Sequence, residues 1–184
     1  LKDYTGAIAD YDKAIELNPN YSNAYIIRGL VKYKLEDYAG AIADYDKAIE
    51  LNFKYAWTYF DQGNEKYELK DYTGAIADYT NAIELKPASS RSYNNRGLAK
   101  YKLKDYTGAI ADYNKAIELK SDYAEAYNNR GNVKDALKDY TGAIADYDKA
   151  IELNFKYAWA YLNRGNMKDE LKDYTGAIAD YNKA

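Results

Sequence analysis

The sequence predicts an all-α protein, an array of helical hairpins stacked into a solenoid, and three observations predict it. The first is a repeat. The segment Leu1-Lys-Asp-Tyr-Thr-Gly-Ala-Ile-Ala-Asp-Tyr recurs with small changes from Leu35, Leu69, Leu103, Leu137 and Leu171, one copy every 34 residues. The second is the placement of glycine: all 11 glycines keep that period, at Gly29, Gly63, Gly97, Gly131 and Gly165 and at Gly6, Gly40, Gly74, Gly108, Gly142 and Gly176. The third is a pair of amphipathic stretches in every unit, such as Ser22 to Lys34 and Asp37 to Leu51, with apolar or small residues at helical spacing.

Each element follows from its residues. Asp37 reads as the N-cap of the second helix, and Asn52 with the turn after it as its end. Pro19 and Pro87 follow second helices, where a residue that cannot continue a helix is expected. Gly29 on the first helix and Ala41 and Ala48 on the second lack bulk, so the two backbones are expected to approach closely, with Tyr25, Leu35, Tyr38 and Tyr45 filling the space between pairs. One hairpin cannot bury all of this surface; stacked neighbours can, which makes the array nearly one-dimensional. The glycine in the first turn of each second helix, such as Gly40, has no explanation in the sequence, and its cost there is below about 1 kcal/mol.

The period, the Tyr-x-x-x-Gly of the first helix, the Leu-x-x-Tyr-x-x-Ala at the hinge and the Ala-x-x-x-Tyr-x-x-Ala of the second helix resemble the tetratricopeptide repeat over the whole chain. In that family's framing the chain is one α-α superhelical array of eleven helices. Residues 1–21 carry a lone second helix, 22–55, 56–89, 90–123 and 124–157 are full repeats, and 158–184 form a final hairpin. Asn52-Phe-Lys-Tyr-Ala-Trp57 returns as Asn154-Phe-Lys-Tyr-Ala-Trp159, three units later, so growth by blocks of three or deliberate construction would both account for it.

One site departs from the family's habit. Arg28, Arg96, Arg130 and Arg164 stand directly before the first-helix glycine, where such repeats more often carry Leu. Each second helix offers a partner on its small-residue face, at Asp10, Asp44, Asp78, Asp112, Asp146 and Asp180, and Lys32, Lys66, Lys100, Lys134 and Lys168 stand four residues after the Arg site. Structural Arg-Asp pairs between helices are expected, with Lys as a third member, because buried charge is tolerated when paired and hydrogen-bonded. Gln62 replaces Arg in the second full unit, so Asp78 is expected to rely on Lys66.

The second helices are near copies, whereas the first helices vary on one face. The resemblance implies that this face lines a concave groove. Its residues are then Asn23, Ile26, Ile27, Leu30 and Tyr33; Trp57, Phe60, Asp61, Asn64 and Tyr67; Arg91, Asn94, Asn95, Leu98 and Tyr101; Glu125, Asn128, Asn129, Asn132 and Asp135; and Trp159, Leu162, Asn163, Asn166 and Asp169. Asn95, Asn129 and Asn163 share one repeat site, and a column of carboxamides can pair with the backbone of an extended peptide. It resembles the asparagine ladder of O-linked N-acetylglucosamine transferase, here interrupted by Ile27 and Asp61. The alternative is that these Asn are solvated groove residues. Trp57 and Trp159 are open to two readings, as anchors for a ligand's apolar side chains or as packing against the loops beside Phe53 and Phe155. The carboxylate clamp of the family's chaperone-binding members wants Lys and Arg where this chain carries Asn, Leu, Phe or Asp, so an acidic C-terminus is not the expected ligand. Asp135, Asp169, Glu125 and Glu170 favour some positive charge on it.

Composition narrows the function. With no Cys and no His the chain has no thiolate, no imidazole base and none of the usual zinc ligands, so neither enzymatic activity nor a metal or other cofactor is expected. A net charge of -3 gives no broad attraction to a phosphate backbone, which argues against nucleic acid. The 24 tyrosines sit at repeated sites and read as packing. No apolar run reaches the roughly 20 residues of a membrane span, no secretory pattern opens the chain, and the cytoplasm is the default compartment. The expected function is a protein-interaction scaffold that binds an extended peptide or a helix in its groove. The alternative is a self-assembling module that stacks head to tail through bare terminal helices, a contact that does not close on itself.

Overall fold

The computed structural model describes residues 3–51 and 55–184. Among these residues lie eleven helices and no strand: α1 (Tyr4–Leu17), α2 (Ser22–Lys34), α3 (Tyr38–Glu50), α4 (Ala56–Glu68), α5 (Tyr72–Leu85), α6 (Ser90–Lys102), α7 (Tyr106–Leu119), α8 (Ala124–Ala136), α9 (Tyr140–Leu153), α10 (Ala158–Glu170) and α11 (Tyr174–Tyr181). They fall into two compact units, Leu1–Pro87 with α1 to α5 and Ala88–Ala184 with α6 to α11. In the first unit α2 pairs with α3 and α4 with α5, and α1 packs on α2 and α3 on α4. In the second the hairpins are α6 with α7, α8 with α9 and α10 with α11, joined by α7 on α8 and α9 on α10.

The turn inside each hairpin is set by local chemistry. The first helix ends in a left-handed residue, Glu36, Lys70, Lys104, Lys138 or Lys172, with φ between 61° and 65°. Around it two backbone bonds close a Schellman motif, for example Lys70 N–H to the Tyr67 carbonyl at 2.9 Å and Asp71 N–H to the Lys66 carbonyl at 2.8 Å. The aspartate that ends this motif also begins the next helix. Asp71 accepts from the Gly74 N–H at 2.9 Å, and Asp3, Asp37, Asp105, Asp139 and Asp173 do the same in their own helices. A single residue thus closes one helix and opens the other, which explains how the chain reverses in so few residues.

The glycine that the sequence left unexplained belongs to this cap. A Cβ on Gly40 or on its equivalents would collide with the capping carboxylate, and at Gly74 and Gly176 it would also meet the stem of Lys66 or Lys168 at 3.0 Å. Its absence lets the carboxylate fold over the helix start while the lysine passes above it.

The first-helix glycine works differently from the expectation of plain backbone approach. It makes room for a ring. A Cβ on Gly131 would lie 2.6 Å from Cε1 of Tyr147, and Gly29, Gly63, Gly97 and Gly165 face Tyr45, Tyr79, Tyr113 and Tyr181 in the same way. Tyr45, Tyr79, Tyr113 and Tyr147 are almost wholly buried, flanked by alanines with no exposed surface such as Ala41, Ala48, Ala109 and Ala116. Leu35 and its equivalents do not fill this space: they sit at the helix C-cap beside the turn and stay half-exposed, Leu35 at 47%.

Two substitutions test this packing. Gly131→Ala is expected to destabilise the chain by about 1–3 kcal/mol through overpacking against Tyr147, although alanine is the better helix former. Lys104→Gly, at an exposed left-handed position, is expected to stabilise by up to about 1 kcal/mol, since glycine removes the Cβ clash. Urea denaturation midpoints of the full chain check both.

Candidate binding surface

A set of buried charges ties the first helices to the second helices. Arg96 grips Asp112 with two parallel bonds, Nε to Oδ2 at 2.9 Å and Nη2 to Oδ1 at 2.7 Å, and Arg28, Arg130 and Arg164 grip Asp44, Asp146 and Asp180 in the same two-pronged way. Lys32, Lys100, Lys134 and Lys168 add their ammonium groups to the same carboxylates at 2.7–2.8 Å. The guanidinium lies over a tyrosine one turn earlier, such as Tyr127 at 5.4 Å from Arg130.

The remaining arm of the guanidinium reaches a partner that sequence reasoning missed. Arg28 donates to Asp12, Arg130 to Asn114 at 2.6 Å and Arg164 to Asp148 at 2.6 Å, each on the second helix of the preceding hairpin. In the second full repeat Gln62 keeps this reach, donating to Asp46 at 2.6 Å. The signal was present in the sequence, as a polar residue two places after each paired aspartate.

Burial pushes Asp180 up, but hydrogen bonds from Arg164 and Lys168 outweigh it and hold the carboxyl below its usual range. Burial also pushes Asp78 up, and there Lys66 alone opposes it, so the pKa is raised. The Lys66 ammonium stands 2.7 Å from Asp78 Oδ2 as an ion pair without hydrogen-bond alignment. Asp10 is a correction. It lies exposed on α1 and forms no Arg pair among the described residues, because its Arg site, sixteen positions earlier as in the other pairs, would fall ahead of Leu1.

The varied residues of the first helices divide into two columns. Ile26 and Phe60 in the first unit, and Asn94 and Asn128 in the second, are buried. The assignment of Phe60, Asn94 and Asn128 to an open peptide surface is therefore corrected: they point between helices, Phe60 onto Tyr79 at 5.8 Å between ring centres and Asn94 with no exposed surface. In the next column Ile27 is 40% exposed and Asp61 partly exposed in the first unit. Asn95, Asn129 and Asn163 are partly exposed in the second.

The asparagines of the second unit are tied to one another. Asn129 Nδ2 donates to Asn94 Oδ1 at 3.2 Å, and Asn163 Nδ2 donates to Asn128 at 3.2 Å and to Asn132 at 3.0 Å. Asn64, Asn132 and Asn166 accept from the hydroxyls of Tyr79, Tyr147 and Tyr181 at 2.9–3.1 Å. These carboxamides thus satisfy buried groups and brace neighbouring first helices, a role the one-dimensional pattern did not disclose. Tyr67 meets Tyr72 edge-on at 5.2 Å between ring centres and Tyr101 lies tilted against Tyr106 at 5.9 Å; both are partly buried, as are Leu98 and Leu162. Arg91 and Asn166 are exposed.

Trp57 is 41% exposed and Trp159 65%. Phe155, four residues before Trp159 in the sequence, is 73% exposed; Phe53 lies outside the described residues.

One residue breaks the pattern. Glu65 occupies the site held elsewhere by Val31, Ala99, Val133 and Met167, and only 1% of it is exposed. Neither of its oxygens makes a hydrogen bond of normal geometry, nor does the hydroxyl of Tyr45, which stands near the carboxyl and faces Leu30 where Tyr79 and Tyr147 face asparagine. Burial first, and then the neighbouring Asp61, push the Glu65 carboxyl from its ordinary 4.5 up to about 9. Tyr45 opposes this only in part.

These charges can be tested one at a time. Arg130→Leu is expected to destabilise the chain, by at most about 3–5 kcal/mol, because it leaves the buried Asp146 with Lys134 alone, and an unchanged denaturation midpoint would refute the pairing. At Glu65 the folded chain holds a proton that the unfolded chain loses, so its contribution to stability falls as pH rises from about 4.5 to about 9 and is level outside that window. Glu65→Val is expected to remove that slope and to stabilise by about 1–3 kcal/mol at neutral pH, read from melts across the pH range.

Among the described residues no helix is long and apolar enough to cross a membrane, and no group of His, Cys, Asp and Glu fit to hold a metal ion is present. A search of curated proteins finds no match. Among solved structures the chain is similar to MamA, with a TM-score of 0.78 and 25% identity, over 84% of this chain and 91% of that one. It is similar to the first TPR of Spaghetti (RPAP3) bound to the HSP90 peptide SRMEEVD, with a TM-score of 0.62 and 28% identity, over 64% of this chain and 93% of the other. The likeness to YrrB, a TPR protein with an unusual peptide-binding site, has a TM-score of 0.74 and 23% identity over 94% of this chain and 89% of that one, and speaks for the fold alone. Profiles described as TPR repeat match residues 1–36, 63–104 and 100–134, and profiles described as tetratricopeptide repeat match 22–55, 124–157 and 160–184. With matches spread over this length and the hairpin geometry repeated within each unit, the chain belongs to the tetratricopeptide repeat family.

Proposed function

We propose that this chain is a protein-interaction scaffold that holds an extended segment of a partner polypeptide on the varied face of its first helices. The observation that carries this reading is the contrast between the two helix types. The second helices are nearly invariant and are locked by repeated Arg-Asp staples. The partly open column of the first helices changes from Ile27 and Asp61 in one unit to Asn95, Asn129 and Asn163 in the other. Proteins of this family are in general scaffolds without catalysis, and the RPAP3 repeat domain offers a peptide-bound precedent. The peptide in that case ends in Glu-Glu-Val-Asp, whereas this face carries few cations and several carboxylates, so the same ligand is not expected here. Exposed aromatic groups are the natural anchors, since such side chains commonly dominate binding energy.

The test is a peptide array probed with the full chain. Trp57→Ala and Trp159→Ala are expected to weaken captured peptides by about tenfold or more, a loss near 1.4 kcal/mol, with melting little changed at Trp159, which is 65% exposed. Binding that is indifferent to both substitutions and to Asn129→Ala would sink the reading.

A further inference from the structure

Glu65 poses a problem that its own unit does not solve. Its site belongs to the packed seam between neighbouring hairpins, where Val133 meets Tyr113 and Met167 meets Tyr147. A carboxyl there is wrapped by groups that do not complete it. Tyr45 on α3 lies near but makes no hydrogen bond of normal geometry with it. Burial and, once it is ionised, Glu65 push up the Tyr33 hydroxyl on α2. Asp61 on α4 and Asp78 on α5 repel it, and Lys66, the cation that acts on it, is held by Asp78 at 2.7 Å. Native structures seldom leave a buried polar group without a partner, and such a group asks for an explanation.

Asp61 supplies the direction. It lies one helical turn before Glu65 on the same face of α4 and stands in the partly open column where the second unit carries asparagine. Glu68, exposed, follows on that face, and all three carboxylates act together on Tyr33. A surface that draws in cations therefore ends on a buried acid that burial holds neutral.

We propose that Asp61 and Glu65 form a recognition site for one cationic side chain of the bound polypeptide, the ammonium of a lysine or the guanidinium of an arginine. This rests on the peptide-holding reading above and names the partner's chemistry. Asp61 receives the cation at the surface, and Glu65 turns toward it and becomes its counter-ion. The proton balance is definite. The Glu65 carboxyl gives its proton to solvent, its carboxylate pairs with the incoming cation, and no other bond is made or broken. Binding is therefore accompanied by release of about one proton at neutral pH, a signature that a merely acidic surface does not produce.

The experiment uses the full chain and a short labelled peptide of serine and alanine with one central lysine. Matched peptides carry arginine, uncharged norleucine or glutamate at that place. Calorimetry in two buffers of different ionisation enthalpy counts protons. The lysine or arginine peptide, whichever the pocket selects, is expected to bind about tenfold more tightly than the norleucine peptide and to release close to one proton. Glu65→Gln, which copies the neutral acid in shape, is expected to abolish both the preference and the proton release, and Glu65→Val, which places there the residue found at the equivalent Val133, serves if the glutamine variant folds poorly. Asp61→Asn is expected to weaken capture while proton release persists at saturation. Equal binding of the lysine, arginine and norleucine peptides, or proton release that survives Glu65→Gln, overturns the inference and leaves the scaffold reading standing. Failure of every peptide, whatever its charge, and of the array above, would remove both.

Discussion

Each complete hairpin is organised around a buried aspartate on its second helix, and the rest of the architecture depends on that charge being met. A carboxylate almost without exposed surface, such as Asp44 or Asp112, is tolerated because cations of the first helix, an arginine and a lysine, reach it. The requirement sets the register of the two helices, since the guanidinium is planar and grips both oxygens at once. A shift of one helix along the other would break every bond in the cluster. The neighbouring glycine and tyrosine enforce the same register sterically, because the ring of Tyr147 occupies the space that a Cβ on Gly131 would need.

The same arginine also links hairpins. Its third nitrogen bonds to the residue two places after the previous aspartate, so one side chain serves both the fold of a hairpin and its attachment to the next. Gln62 separates the two jobs. It keeps the attachment to Asp46 but leaves Asp78 with Lys66 alone, and the higher proton affinity of Asp78 registers the loss. Repeat proteins derive their stability from such neighbour terms, and here each link combines this polar contact with apolar packing such as Val133 on Tyr113.

Against this regular background Glu65 is the most costly departure in the described chain. Four equivalent copies show that an apolar residue fits its site, so the acid is not required by packing. A group that weakens the fold is more naturally read as one that acts on something, and proteins often keep such strain where they bind.

The sequence by itself determined the helices, their ends and their pairing, because these rest on interactions close along the chain: a capping aspartate three residues before the amide it receives, a tyrosine sixteen after its glycine, an arginine sixteen before its carboxylate. Tertiary structure decided which of two adjacent columns is open. Successive residues on a helix point about 100° apart, so Asn94 and Asn95 both lie near the edge of the varied face, and only the hairpin packed beside them seals the first and leaves the second partly free. It also decided that the asparagines brace one another, that glycines near the helix starts shelter a carboxylate, and that Glu65 is buried without a partner. The glycine cap is local but its crowding shows only in three dimensions; the others depend on atoms brought together from separate repeats, and no period along the chain encodes what a third helix will cover.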